Sequence, residues 1–463
     1  VSRRSGAAVA VAAAVVAATV GFTATKLDRA SFAMYDEGVY YYQAVVLVRG
    51  GVPYREFFCP QPPGILLLGA ASEGVGAGLT GVRAVNWLCG LVLLVQTYRL
   101  TRRLAGPDAR AAAAVAAALV AATVPFAYQS IHGATNMPAA CLELAACLLV
   151  LGDARGRFAL AGLVLGAATA LRLPSAVAVP GALVLVRFAH GREGYWPRVA
   201  WFLGPLAVAG GAIHLGLAAA VPGYADNVVG FQTARVRTDW ADRGGQVVEF
   251  LQEPVTAAGL AAALGFAALG SGRRRGVALH ALVTAGVITV AGNSLSSMYY
   301  LPVLPLFAAC ATAGAVRLFG PEPRALVAVA AGAAVRAWWV ATAVIGTMTA
   351  SNADHAACVA RLRGLTGETV LTSDGRIAVL AGKRAVPDYY ATDPNALHLV
   401  APDRFHAWFA EWLPKADVVV VTPQLWIWMS PANAAAVRTC GKPVLFDTDG
   451  TRATFETNGG PVP

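Results

Sequence analysis

The chain has 463 residues, 57% of them hydrophobic and only 13% charged, with a mean hydropathy of +0.57. Soluble domains run near ~25% charged, and one water-soluble core of this length cannot bury so much apolar surface, so lipid must solvate part of the chain. The net charge of +10 sits in short clusters at the ends of apolar runs, with no basic stripe interleaved with aromatics, which argues against nucleic acid as a partner and for membrane loops.

Residues 6–23, after Ser2-Arg3-Arg4, form the first apolar run. A secretory signal has this layout, but ten more runs follow, near 83–101, 109–127, 137–152, 158–173, 175–189, 199–221, 255–271, 276–293, 299–317 and 325–348. Each is long enough, or nearly so, to cross a bilayer. The segment between the first two, 64–80 (GILLLGAASEGVGAGLT), is ambiguous. As a span it carries Arg99, Arg102 and Arg103 to the outer side. As an interfacial or re-entrant helix it leaves the basic clusters at 99–103, 153–157, 187–192, 273–275 and 317–324 on the N-terminal side, as the positive-inside rule prefers. Its five glycines and Glu73 also suit a surface better than lipid.

The expected fold class is therefore an α-helical polytopic membrane protein of eleven spans over residues 1–350, with a small extracytoplasmic α/β domain at 351–463. The N-terminus is expected in the cytoplasm, and the loops at about 24–82, 128–136 and 222–254 outside. Heavy use of Ala, Gly, Val and Arg fits a high-GC bacterial genome, hence a bacterial plasma membrane. In the last domain ETVLTSD and ADVVVVTP read as short buried strands, and PDRFHAWFAEWL between them as a helix, an α/β layer pattern. Cys358 and Cys440 either pair, if this domain is outside, or stay as buried thiols. Trp408, Trp412, Trp426 and Trp428 form either a sugar-stacking set or core.

The first outer loop carries the densest pattern, SFAMYDEGVYYYQAVVLVRGGVPYREFFCPQPPGILLL. Asp36 is placed to cap a helix over DEGVYYYQAVVLV that Gly50-Gly51 ends. Tyr40, Tyr41 and Tyr42 read as an aromatic belt, but two adjacent acids, Asp36 and Glu37, beside a Pro-Pro re-entry exceed what a plain loop needs.

The order D-E-G-x-Y-Y, G-x-P-Y-R-x-F, x-P-P-G resembles the membrane-embedded GT-C glycosyltransferases. The bacterial proteins similar to dolichyl-phosphate-mannose protein mannosyltransferases (family 39) and the lipid A aminoarabinose transferases are the nearest in pattern. VRAVNWLCG leading to YRLTRRLAG, ALRLP in mid-chain and MYYLPVLP late agree with them, so the resemblance spans most of residues 1–350.

What the resemblance implies is a polyprenyl-phosphate-linked sugar as donor, a glycan, lipid or protein as acceptor, and an acid at the head of the first outer loop acting at the reaction centre. Asp36 becomes the catalytic base or acceptor-orienting carboxylate and Glu37 its companion. A carboxylate within hydrogen-bond reach can take the acceptor's hydroxyl proton. The lipid phosphate leaves readily but needs positive charge in a low-dielectric site. Arg172, at the outer end of a span, is the first candidate for that charge, against a snorkelling role, and Arg55 the second. Tyr40, Gln61, Asn136, Tyr299 and Tyr300 are expected at the substrate cavity, with interfacial anchoring as the alternative for Tyr299 and Tyr300. Two positions depart from the pattern: Gln61 stands where relatives often carry Lys, and Asn136 where a further acid is common.

Glu143, inside a span, is either functional or paired with a neighbouring helix. His132 reads as a polar loop residue. The loop at 222–254, with Asp226, Arg235, Arg237, Asp239, Trp240, Asp242 and Arg243, either shapes an acceptor entrance or is simply solvated. The seven cysteines lack metal spacing, so no cofactor is expected beyond an optional divalent cation. P-loop, G-x-S-x-G and nucleotide fingerprints are absent. An inverting glycosyltransferase is thus the leading expectation. The alternatives are a lipid or sugar transporter, for which no half-to-half repeat appears, and an inactive envelope-assembly scaffold.

Overall fold

Each of the eleven apolar runs contains a helix, since only a helix satisfies every backbone group of a single segment without water. The computed structural model describes residues 3–27, 35–234, 239–291, 296–320, 323–345, 352–386 and 401–447. Among these, six helices are long and apolar enough to cross a bilayer: Gly6–Ala24, Gly78–Ala105, Leu173–His190, Tyr195–Ala220, Gly272–Ala291 and Arg324–Ala343. Two bent pairs add to them, Arg110–Ala121 with Val124–Ile131 at 66°, and Trp240–Leu251 with Pro254–Leu269 at 98°. The chain is a multi-pass membrane protein.

The breaks have local causes. The run at 109–127, read from sequence as one span, stops at Ala121 because Thr123 caps a new helix by accepting from Phe126 N, with a proline in its first turn. Pro254 opens the second half of the other bent pair. The ambiguous segment at 64–80 forms a 12-residue helix, Pro63–Gly74, about 18 Å long and too short for a hydrocarbon core of ~30 Å.

Four of the five basic clusters meet at one end of the bundle. Arg103 donates to Leu148 O at 2.6 Å and Arg274 to Leu104 O at 2.8 Å. Asp153 takes Arg273 at 3.3 Å and His190 at 3.4 Å. Arg83 lies on the same helix as Arg103, twenty residues earlier, hence about 30 Å away at the opposite end.

Small residues draw the helix Arg155–Leu171 against Tyr195–Ala220. A Cβ on Gly162 would collide with Phe202 O, and one on Gly166 would meet Ala209 Cβ at 2.7 Å. Four residues apart, these glycines let two backbones approach where lipid supplies no hydrophobic drive. That packing fixes the helix whose end carries Arg172.

Among the described residues the C-terminal domain forms a four-stranded parallel sheet in the order β2-β1-β3-β4: β1 Thr369–Leu371, β2 Arg384–Ala385, β3 Val418–Val421 and β4 Val444–Phe446. β3 is four buried valines, as a strand covered on both faces requires. Phe405, Trp408, Phe409 and Trp426 pack into one core with Val419 and Val421, and Trp412 and Trp428 lie against it, so the tryptophan set is a packing feature. Cys358 and Cys440 are both free thiols. A second core joins this domain to the first loop, with Tyr42 and Phe57 in the same cluster as Cys358, Val370 and Ile377.

Candidate active site

Arg172 reaches a cavity because its helix cannot continue. Pro174 follows two residues later and biases the preceding backbone towards extended conformations. Arg172 itself sits just past the helix end, at φ −152° and ψ 110°. Gly64, at the start of the helix Pro63–Gly74, abuts Ala170 O at 2.7 Å of its would-be Cβ, so the first loop closes directly onto this end. The Arg172 guanidinium is 7% exposed and lies 4.7 Å from the centroid of the Tyr299 ring. Among the described residues no salt bridge and no side-chain hydrogen bond engages it.

The cavity has a volume of about 410 Å³ and is lined by Asp36, Tyr40, Gln61, Asn136, Arg172 and Tyr299, within the range of small-ligand sites. Six of the nine residues expected at the site from the sequence therefore share one space. Glu143 joins them, buried on the wall from the helix Asn136–Val150; its carboxyl faces Arg172 and Ser175, and its Oε1 has no hydrogen-bond partner. Gln232 and Thr233, from the 222–254 loop, complete the rim; Arg235 and Arg237 of that loop lie outside the described residues.

Asp36 and Tyr40 come from the first-loop helix, Tyr35–Val48. The sequence places Asp36 at its cap, but the helix already includes Tyr35, so Asp36 sits inside the first turn. Its charge is still favoured there by the exposed N–H groups of the helix start. Tyr40 lies one turn on and accepts Gln61 Nε2 at 2.9 Å through its hydroxyl, while Tyr54 OH donates to Gln61 O at 2.9 Å. Gln61 is thus held as a polar wall element without charge.

Three expected residues are not on the cavity wall. Arg55 is 57% exposed and pairs with Glu56 at 2.7 Å. Tyr300 is buried, stacked on Phe250 at 4.6 Å between ring centroids and bonded to Thr289 Oγ1 at 2.6 Å. Glu37, expected as the companion of Asp36 at the reacting centre, is instead fully buried in an ion cluster. Arg83 forks onto both of its oxygens at 2.7 Å each, Arg376 Nη1 reaches Oε2 at 2.7 Å, and Gly133 N donates to Oε1 at 2.6 Å. Burial by itself would raise its pKa, yet the Arg83 and Arg376 guanidiniums outweigh that and bring it from 4.5 down to about 2. With its oxygens so engaged, Glu37 has little capacity left to take a proton from a substrate.

The cluster extends into the C-terminal domain. Arg376 is 0% exposed and also binds Asp374, Nη2 to Oδ2 at 2.5 Å. Gly38 is required beside it, because a Cβ there would overlap the Asp374 carboxylate and lie 2.8 Å from Arg376 Nε. The three letters of D-E-G thus meet three different neighbours. His132 belongs to this surround, buried with Nδ1 2.7 Å from Tyr128 O. Asn86 holds the 132–135 turn by donating to the carbonyls of His132 and Ala134. Among the described residues no three His, Cys, Asp or Glu side chains gather as metal ligands.

The fold has solved counterparts. ArnT from Cupriavidus metallidurans bound to undecaprenyl phosphate superposes with TM-score 0.60 at 19% identity, over 85% of this chain and 88% of that one. Its apo state gives 0.62 at 16% identity, over 92% and 94%. Archaeal oligosaccharyltransferase AglB from Archaeoglobus fulgidus, in complex with an inhibitory peptide and a dolichol-phosphate, gives 0.52 at 14% identity, over 86% and 68%. The chain has the GT-C fold. Residues 60–220 also match the family described as dolichyl-phosphate-mannose-protein mannosyltransferase, whereas no curated protein matches the chain. The family match takes in Gln61, Asn136, Glu143 and Arg172 and begins after Asp36. At 92% coverage the unmatched part is too small to hold residues 351–463, so the GT-C likeness reaches into the C-terminal domain, where sequence motifs offered little.

Proposed function

We propose that the chain is an inverting glycosyltransferase that moves one hexosyl or pentosyl unit from a polyprenyl-phosphate donor to a glycan, lipid or protein acceptor on the outer face of the plasma membrane. The observation that carries this is a single cavity holding Asp36 and Arg172, a carboxylate and a buried guanidinium, within a GT-C fold. In this reading Arg172 receives the donor's phosphate, and the acceptor hydroxyl lies against Asp36. The acceptor oxygen attacks the anomeric carbon from the face opposite the phosphate, and its proton passes to the Asp36 carboxylate. The carbon–oxygen bond to phosphate breaks with its electron pair, and the charge left on the phosphate is met by Arg172. Tyr40, Gln61, Asn136 and Tyr299 shape the space for the sugar. The solved ArnT and AglB structures contain undecaprenyl phosphate and a dolichol-phosphate, which supports a lipid phosphate as the carrier here. With its basic clusters at one end of the bundle, the chain would keep that end in the cytoplasm and the cavity outside.

The test is sugar transfer in membranes supplied with radiolabelled polyprenyl-phosphate sugars, for wild type beside Asp36→Asn. Transfer by wild type that is lost in the variant is the expected result. A wild type inert with every donor would overturn the reading.

A further inference from the structure

The ion cluster joins parts of the chain that are remote in sequence: Glu37 on the first-loop helix, Arg83 on the helix Gly78–Ala105, and Asp374 and Arg376 in the outer domain. Two carboxylates face two guanidiniums, all of them buried. Charges this deep persist only when paired and hydrogen-bonded throughout, so the arrangement requires the outer domain in place.

We propose that the outer α/β domain is part of the catalytic apparatus, with Arg376 and Asp374 as positioning residues that fix, through Glu37 and Gly38, the helical turn carrying Asp36. This rests on the transferase reading of the cavity. The geometry is direct. Glu37 takes N–H donors from Arg83, Arg376 and Gly133, which belong to three separate elements. Gly38 is pressed against Asp374. With both following residues clamped, the backbone of Asp36 has no independent freedom, and a reacting carboxylate needs that constraint because small misplacements are costly.

The place of the contact in the sheet supports the same conclusion. Asp374 and Arg376 follow β1, whose neighbours are β2 on one side and β3 on the other. In open parallel sheets such a reversal of strand order, at the carboxyl ends, is where ligands bind. Here Ser373 and Thr422 close the gap between β1 and β3 by a hydroxyl–hydroxyl hydrogen bond, and Arg376 reaches from this edge to Glu37. The position that would hold a free ligand in an independent domain is used to hold the reacting helix of the same chain. Val379, from the helix Gly375–Leu380, packs beside Tyr41 and Val45 and extends the contact along the first-loop helix.

The experiment is steady-state transfer per inserted molecule in membranes, with the outer domain's protease sensitivity measured in parallel, for wild type, Arg376→Met, Arg376→Lys and Gly38→Ala. Arg376→Met is expected to lower kcat by about 100-fold, with the donor KM within about threefold of wild type, and Arg376→Lys to recover part of the loss. Gly38→Ala removes no charge and presses a methyl against Asp374 and Arg376; it is expected to lower kcat in the same way, which keeps the proposal testable should Arg376→Met fail to insert. An Arg376→Met or Gly38→Ala protein with wild-type kcat overturns the proposal while leaving the transferase reading intact, as does a KM that rises as far as kcat falls. A wild type inert with every donor overturns the transferase reading itself.

Discussion

Asp36 and Glu37 are adjacent in the chain and occupy opposite environments. Asp36 lines an open cavity shared with Arg172, while Glu37 is 0% exposed in a cluster sealed by two arginines and a backbone N–H. Successive residues on a helix point about 100° apart, so one step along the chain separates a carboxylate with room for substrate from one that serves as structural glue. The lesson is that an acidic pair in a loop does not imply a paired mechanism. Glu37 is held by Arg83, Arg376 and Gly133 N, whereas Asp36 lines the cavity that Arg172 also lines.

The comparison breaks most visibly at Asp36. Asp36→Asn is expected to reduce transfer by about 10²- to 10⁴-fold while thermal unfolding in detergent stays at the wild-type temperature. Glu37→Leu should do the reverse in kind: it leaves Arg83 and Arg376 buried without their shared anion, and is expected to cost about 3–5 kcal/mol of stability, read by denaturant or thermal unfolding. Arg172→Ala removes the guanidinium from the open side; a charge-assisted contact of about 1.5–3 kcal/mol predicts a donor KM raised by about ten- to a hundredfold with insertion unaffected, measured by titrating donor.

A smaller effect sharpens the contrast through pH. Burial lowers the pKa of His355, close to Asp374, Arg376 and Arg83, from 6.5 to about 4. A depressed histidine pKa favours the fold in its neutral form, so that contribution is lost as pH falls from about 6.5 towards 4. Glu37, depressed from 4.5 to about 2, contributes above about 4.5 and loses its contribution as pH falls towards 2. Docking of the C-terminal domain is therefore expected to weaken progressively on acidification, in two overlapping windows, and His355→Gln should remove the upper one. Protease protection measured against pH checks both.

Much of the scaffold was legible in advance. Apolar length located a helix in each of the eleven runs and kept the Pro63–Gly74 helix out of the set of spans, because lipid allows few alternatives to a continuous helix. Among the described residues six to eight spans pass by length and composition, and the helix Trp240–Leu251 lay in what the sequence reads as a loop. Most of the cavity set was also legible, since Asp36, Gln61, Asn136 and Arg172 lie in motifs whose order survives in the chain. The kink after Ala121 escaped because its cause, the Thr123 cap with Pro125, is local and lies inside an otherwise apolar run. The strands at 384–385 and 444–446 are two and three residues long, too short for alternation to show. The fate of Glu37 could not be read, because its partners lie 46, 96 and 339 residues away. Only the fold brings Arg83, Gly133 and Arg376 to one carboxylate. A signal did exist in Ser373-Asp374-Gly375-Arg376, a charged pair directly after a buried strand, a place where charges need partners.

The most direct test of the division between the two acids is a single turnover with donor already bound. Purified wild type and Asp36→Asn are loaded with radiolabelled polyprenyl-phosphate sugar, bound donor is quantified, and acceptor is then added. The account predicts equal donor binding and no transfer from Asp36→Asn within many wild-type half-times. Product forming from Asp36→Asn at the wild-type rate would contradict it and remove Asp36 from the reaction.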